Sequence, residues 1–290
     1  MCVAEIIEIS DLGDPRLDAF VRLTGHQLRN KLEPEAGVFI VESPIAIEAA
    51  FDAGCEPLAL LTEERYVHGK TAGIIERVGN VPVYAAPHDV LAGLTGFELT
   101  RGVLCAMKRP AERDWRDLCK GARRVAILEN IVDTTNLGAI FRCAAGLGID
   151  AVLLSPECCD PLCRRAVRVS MGTVLMVPFA RIGCLKSGPL PETEIWPGEA
   201  LKALKREGFV TVAMALRNDT KSIDDPSLKE AQKLAILLGN EGRGLSEGAV
   251  RKCDFTVLIP MSAGVDSLNV AAAAAIAFFS FRVPESEPRT

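Results

Sequence analysis

From Glu5 to Phe281 the chain alternates short apolar runs, each bounded by polar turn residues, with longer stretches whose apolar positions recur at helical spacing. Strands separated by crossovers of helical length lie parallel in one sheet, because parallel neighbours cannot be joined by a tight turn. The chain is therefore expected to be α/β. Strands are predicted at 5–9, 37–41, 57–61, 81–85 and 102–107, with helices at 17–23, 44–53, 70–78 and 88–94 between them. A polar, charged stretch headed by Pro110 follows, and the pattern restarts after it. Strands are then predicted at 124–128, 151–154, 173–177, 210–213, 234–238 and 255–259, with helices at 137–147 and 268–281. This gives a domain over 1–108, a linker over 109–122 and a second domain over 123–290. The Pro- and Gly-rich run from Arg181 to Gly198 reads as a surface loop.

Composition removes several classes. Among 290 residues, 49% are hydrophobic and 24% charged, and the mean hydropathy is +0.21, so there is ample apolar surface to offset the ordering entropy. The start, MCVAEIIEISD, lacks the basic-then-apolar order of a signal peptide, and the run Val270 to Phe279 is shorter than the ~20 residues that span a bilayer. A cytoplasmic protein without a membrane partner is expected. The 10 cysteines, diluted over this length, read as reduced thiols. Cys158, Cys159 and Cys163 form one cluster, but His26, His68 and His88 lie far off in sequence, so no metal site is expected. The net charge is −5, yet residues 101–124 carry a local charge of +5. Such a segment fits a phosphate backbone, although a solvated face looks the same.

The chain contains no G-x-x-x-x-G-K-[ST], no G-x-G-x-x-G after the first strand of either domain, and no G-x-S-x-G. Phosphate-loop, ordinary dinucleotide-binding and α/β-hydrolase chemistries lose their support. Three strand-to-helix junctions in the second domain remain, at the sheet edge where α/β proteins bind ligands. The first, Glu129-Asn130-Ile131-Val132-Asp133-Thr134-Thr135-Asn136, runs into a helix in which Arg142 is the only charge. Asn136 reads as that helix's N-cap. Arg142 reads either as a core arginine paired with a carboxylate or as a functional group leaning over the turn at Gly138. The second junction, LLGNEGRGLS, has Gly239, Gly242 and Gly244 around Glu241, so backbone there can approach a ligand closely. In the third, IPMSAGVDSLNVAAA, Ser267 reads as a cap, while Asn269 at the start of an alanine-rich helix needs a hydrogen-bonding reason to be there.

Taken in order, NIVDTTNLGAIFR, LLGNEGRGLS and IPMSAGVDSLNVAAA resemble the motifs of the SpoU/TrmH family of RNA ribose 2′-O-methyltransferases, within the SPOUT superfamily. The resemblance covers 123–281. GVFIVESPIAIEAAFDAG and LTRGVLCAMKRP look, more loosely, like the L30/L7Ae-like substrate-binding domain that precedes the catalytic domain in many members, with Ser43 standing where a glycine is usual.

The resemblance implies a trefoil-knotted catalytic domain behind a smaller α/β domain, a homodimer formed through the C-terminal domain, and S-adenosylmethionine as cofactor. By motif position Gly239, Ile259 and Leu268 would line the cofactor pocket, and Asn136, Arg142, Glu241, Ser267 and Asn269 would be the polar active-site residues. Arg142 would clamp a phosphate or stabilise the forming alkoxide, since a protonated guanidinium has no lone pair to accept a proton. RNA is the implied partner, ribosomal before transfer RNA by family analogy. A noncatalytic RNA-binding relative and a small-molecule α/β enzyme are the alternatives.

Overall fold

The computed structural model describes residues 5–29, 36–95, 102–183, 195–217, 220–262 and 267–283. Lys31, Arg101 and most of the Arg181 to Gly198 loop lie outside these residues. The chain divides into two compact units. One comprises 1–111 with 161–176, and the other 112–160 with 177–290.

The first unit has a five-stranded sheet in the order β1 (Ile6–Glu8), β4 (Val83–Ala86), β3 (Pro57–Glu63), β5 (Val103–Lys108), β2 (Val38–Glu42). β1, β4 and β3 are parallel, whereas β5 runs antiparallel to both β3 and β2. Ile40, Leu61, Tyr84 and Leu104 from this sheet meet Leu17, Phe20 and Leu91 in one core cluster. Residues 161–176, expected within the second domain, belong to this unit. Their helix Arg164–Val169 pairs Arg164 with the buried Glu42 at 3.0 Å, and Gly172, at φ 83, comes so close to Ala46 that a Cβ would sit 3.0 Å from its Cα. The strand expected at 173–177 is instead a 3-10 turn, Thr173–Leu175, and the strand follows it at β8 (Phe179–Arg181). A short apolar run does not itself distinguish a strand from a buried turn.

The second unit has a seven-stranded, all-parallel sheet. Its order is β10 (Lys221–Ser222), β12 (Phe255–Leu258), β9 (Val210–Met214), β11 (Leu234–Leu238), β6 (Arg124–Leu128), β7 (Ala151–Leu154), β8. β6, β7 and β11 are buried at every position, the pattern of a parallel sheet covered on both faces. One face packs on Trp115, Trp196, Leu201 and Leu204. Trp115 belongs to the helix Trp115–Cys119, so the stretch expected as a linker carries buried core residues. Elsewhere in the unit the helices Thr134–Gly146 and Val270–Phe281 pack together. Arg124, counted by sequence in the basic segment, is buried. Its guanidinium donates to the carbonyls of Phe281 at 2.5 Å, Arg123 at 3.0 Å and Gln232 at 3.2 Å, and burial lowers its pKa. No helix among the described residues is long and apolar enough to cross a membrane.

Candidate active site

β6, β11 and β12 run parallel within this sheet, so the loops that leave their C-terminal ends emerge on one edge. Those loops are the three junctions.

The first loop begins with Glu129, whose amide extends the ladder by donating to Leu238 O at 2.9 Å. Asn130 follows at φ 57. That left-handed conformation is one that asparagine tolerates. The helix is then capped by Asp133, not by Asn136. The Asp133 carboxylate accepts from Thr135 N at 2.6 Å and Asn136 N at 3.4 Å. An ionised carboxylate beside the helix N-terminus is also favoured by the peptide dipoles. Asn136 is thereby freed to act across the site.

In the second loop Asn240 organises the turn, its Oδ1 accepting from Gly242 N at 2.8 Å and Arg243 N at 3.3 Å. Gly244 N donates back to Asn240 O at 2.8 Å. The Asn240 amide ties the loop to Asn130 O at 3.0 Å. A Cβ on Gly239 would lie 2.4 Å from Gly244 C and Leu245 N. Glycine is therefore required here by the loop's own backbone, a reason distinct from the ligand approach that sequence suggests.

In the third loop the cap is Asn269. Its Oδ1 accepts from Ala271 N at 3.0 Å and Ala272 N at 3.4 Å, which displaces Ser267 from the expected capping role. With Oδ1 on the helix, its Nδ2 donates to Asn136 Oδ1 at 2.9 Å. The Asn136 amide in turn donates to Glu241 Oε1. One chain of side chains thus links all three junctions.

Beside this chain lies a cleft of about 400 Å³, lined among others by Gly239, Glu241, Leu245, Ile259, Ser267 and Leu268. Gly239, Ile259 and Leu268 were marked by sequence as cofactor positions and Glu241 and Ser267 as active-site positions, while Leu245 was not. Arg142 stands apart. It is exposed, it is not among the residues lining the cleft, and no described residue accepts a hydrogen bond from it or pairs with it. The core-arginine reading is thereby removed. Sequence reasoning also passed over Glu129, which is 2% exposed and accepts hydrogen bonds from Trp196 Nε1 at 2.7 Å and from Ser246 N and Oγ at 2.7 and 2.8 Å. An acid directly after an apolar strand was the available signal. Cys158, from the cysteine cluster, is buried with its thiol donating to Leu128 O at 3.1 Å, and burial pushes its pKa up.

Residues 123–279 match the SpoU rRNA Methylase family. An uncharacterized tRNA/rRNA methyltransferase of Mycobacterium tuberculosis H37Rv is 40% identical over 278 residues, spanning 95% of this chain and 91% of its own. The 23S rRNA (guanosine(2553)-2′-O)-methyltransferase RlmP of Bacillus subtilis is 25% identical over 252 residues, 87% of this chain and 91% of its own. Among solved structures, an AdoMet-bound rRNA methyltransferase from Sinorhizobium meliloti gives a TM-score of 0.76 at 23% identity, covering 95% of this chain and 97% of that one. AviRb from Streptomyces viridochromogenes, a SpoU methyltransferase in complex with AdoMet, gives 0.74 at 23% identity, covering 92% and 97%.

Proposed function

The chain belongs to the SpoU rRNA methylase family, and from that premise we propose that it transfers a methyl group from S-adenosylmethionine to a ribose 2′-oxygen of RNA, ribosomal RNA before transfer RNA. The observation that carries this reading is the junction of Asn136, Glu241 and Asn269 into one hydrogen-bonded chain beside a cleft of ligand size. The relative RlmP is named for the same bond, a 2′-O-methylation of 23S rRNA. Two similar structures are described as holding AdoMet.

The cleft fits such a cofactor by its chemistry. Ile259, Leu268 and Leu245 offer apolar surface, while the glycine loop offers backbone groups with few side chains in the way. When bound, S-adenosylmethionine supplies a methyl carbon on a cationic sulfonium, open to displacement by an oxygen. The chain's own residues then divide the remaining work. Ile259 and Leu268 exclude water from the cleft. The chain of Asn136, Glu241 and Asn269 holds the loops in register, and Ser267 orients the ribose. Arg142, charged and unpaired among the described residues, grips a phosphate and stabilises the developing 2′-alkoxide. The 2′-hydroxyl proton leaves to solvent outside the cleft.

On the same reading the catalytic unit carries the family's trefoil knot and works as a homodimer. Exposed Leu268, Ile276 and Phe279, on or just ahead of the last helix, supply apolar surface for a second copy. The described free cysteines suit a reducing cytoplasm. Mapping 2′-O-methyl positions across total RNA with and without the gene tests the assignment. One ribosomal position should lose its methyl group, and an unchanged map would overturn the reading.

A further inference from the structure

Glu129 and Asn130 are consecutive residues, and between them they hold both ends of the glycine-rich loop. Asn130 O takes the Asn240 amide at 3.0 Å, while the Glu129 carboxylate takes Ser246 N at 2.7 Å and Ser246 Oγ at 2.8 Å. Glu129 also accepts from Trp196 Nε1 at 2.7 Å, and it is 2% exposed. Both of its oxygens are engaged, Oε1 by Trp196 and the Ser246 hydroxyl, Oε2 by the Ser246 amide. A carboxylate that can only accept matches this set of donors, and the bonds are charge-assisted. The cavity wall at Gly244, Leu245 and Glu247 lies immediately around the anchored residue. The apex of the same loop is held separately, by Asn136 on Glu241.

We propose that Glu129 is a positioning residue that sets the Gly244 to Ser246 side of the cofactor cleft, independently of the Asn136 and Glu241 contact. The proposal rests on the cofactor reading above only for its effect on affinity, because the loop geometry itself is separately measurable. Replacing Glu129 by glutamine keeps the shape but turns one acceptor into a donor, so at least one of the three donors meets a donor instead. The 244–246 side should then loosen while Glu241 stays tied to Asn136. Cofactor affinity should fall and turnover at saturating cofactor should hold, a split that a general loss of stability does not produce.

The experiment compares wild-type and Glu129→Gln full chains, first without ligand by amide hydrogen exchange, then by calorimetric titration with S-adenosylmethionine and by steady-state methylation. The expected result is exchange at Ser246 at least roughly 10-fold faster with the Leu137 amide unchanged, affinity lower by roughly 10-fold, and kcat within about 3-fold. Trp196→Phe removes the donor that lies outside the loop and should leave Ser246 exchange near wild type. If Glu129→Gln does not fold, Glu129→Asp, which keeps the charge but is one methylene too short to reach both partners, should show the same pattern. Unchanged exchange and affinity in the Glu129 variants, or a Trp196→Phe protein that reproduces the whole effect, overturns the proposal. A wild-type protein that does not bind S-adenosylmethionine, with exchange altered as expected, instead overturns the cofactor reading and leaves the positioning role standing.

Discussion

The Asn269 side-chain amide donates to the Asn136 side-chain oxygen at 2.9 Å, across 133 residues of sequence. Asn269 can do this because its own oxygen is committed to the helix amides of Ala271 and Ala272. Each end of the group thus has a separate task, capping on one side and bridging on the other.

That division makes the two tasks separable by mutation. Asn269→Asp keeps an acceptor for the helix amides but has no donor for Asn136, so thermal stability should stay near wild type while methylation falls. Asn269→Ala loses both, and losing a cap costs about 1 kcal/mol, or roughly 2–4 °C in a domain of this size. Calorimetric melting of both variants alongside an activity assay checks this. Equal melting temperatures for the two would remove the capping role.

Arg142→Ala should lower turnover by at least ~10²-fold, the scale for losing one preorganised electrostatic contact. Because Arg142 is exposed and no described residue pairs with it, its melting temperature and cofactor affinity should barely change. Arg142→Lys keeps the charge but loses the planar fork and should restore little. Single-turnover methylation at saturating cofactor reads this directly, and near wild-type rates in a folded Arg142→Ala protein would end the assignment.

Gly239→Ala places a Cβ 2.4 Å from Gly244 C. The loop must move, so cofactor affinity should drop by roughly 10-fold or more with an accompanying local change in the exchange of the 240–246 amides. Affinity lost with no change in loop exchange would point to direct contact with the ligand instead.

RNA capture should weaken steeply with added salt, since phosphate contacts release counterions. Arg113 is the cleaner probe within the basic segment, because Arg124 is buried and Arg116 lies over the Trp115 ring at 4.6 Å. Arg113→Glu should reduce the affinity for different RNA sequences alike and flatten the salt slope. A slope equal to wild type would mark Arg113 as a merely solvated charge.

The sequence made the parallel sheet legible because β6, β7 and β11 are apolar at every position except Arg124, and their limits coincide with the expected 124–128, 151–154 and 234–238. It misassigned both caps. Asp133 and Asn136 both suit a helix start, and local sequence does not say which carbonyl begins the helix. Ser267 and Asn269 pose the same problem, resolved only by Asn136 arriving from another loop. Arg142 looked like a costly buried charge because its neighbours are apolar, yet a helix with one buried face leaves room for an exposed arginine. Residues 161–176 joined the first unit through Glu42, whose partner Arg164 is 122 residues away, a pairing that no local pattern encodes. Glu129 was visible only as an acid directly after an apolar strand, and its role did not show because that role lies in donors from Trp196 and Ser246.

Methyl transfer to a ribose oxygen can be read by incubating the purified protein with isotope-labelled S-adenosylmethionine and either ribosomal or transfer RNA, then digesting the RNA to nucleosides for mass spectrometry. Label is expected in a single 2′-O-methylnucleoside from ribosomal RNA, reduced at least ~10²-fold in the Arg142→Ala protein. Label on a base, or no label in any RNA despite measurable cofactor binding, would contradict it.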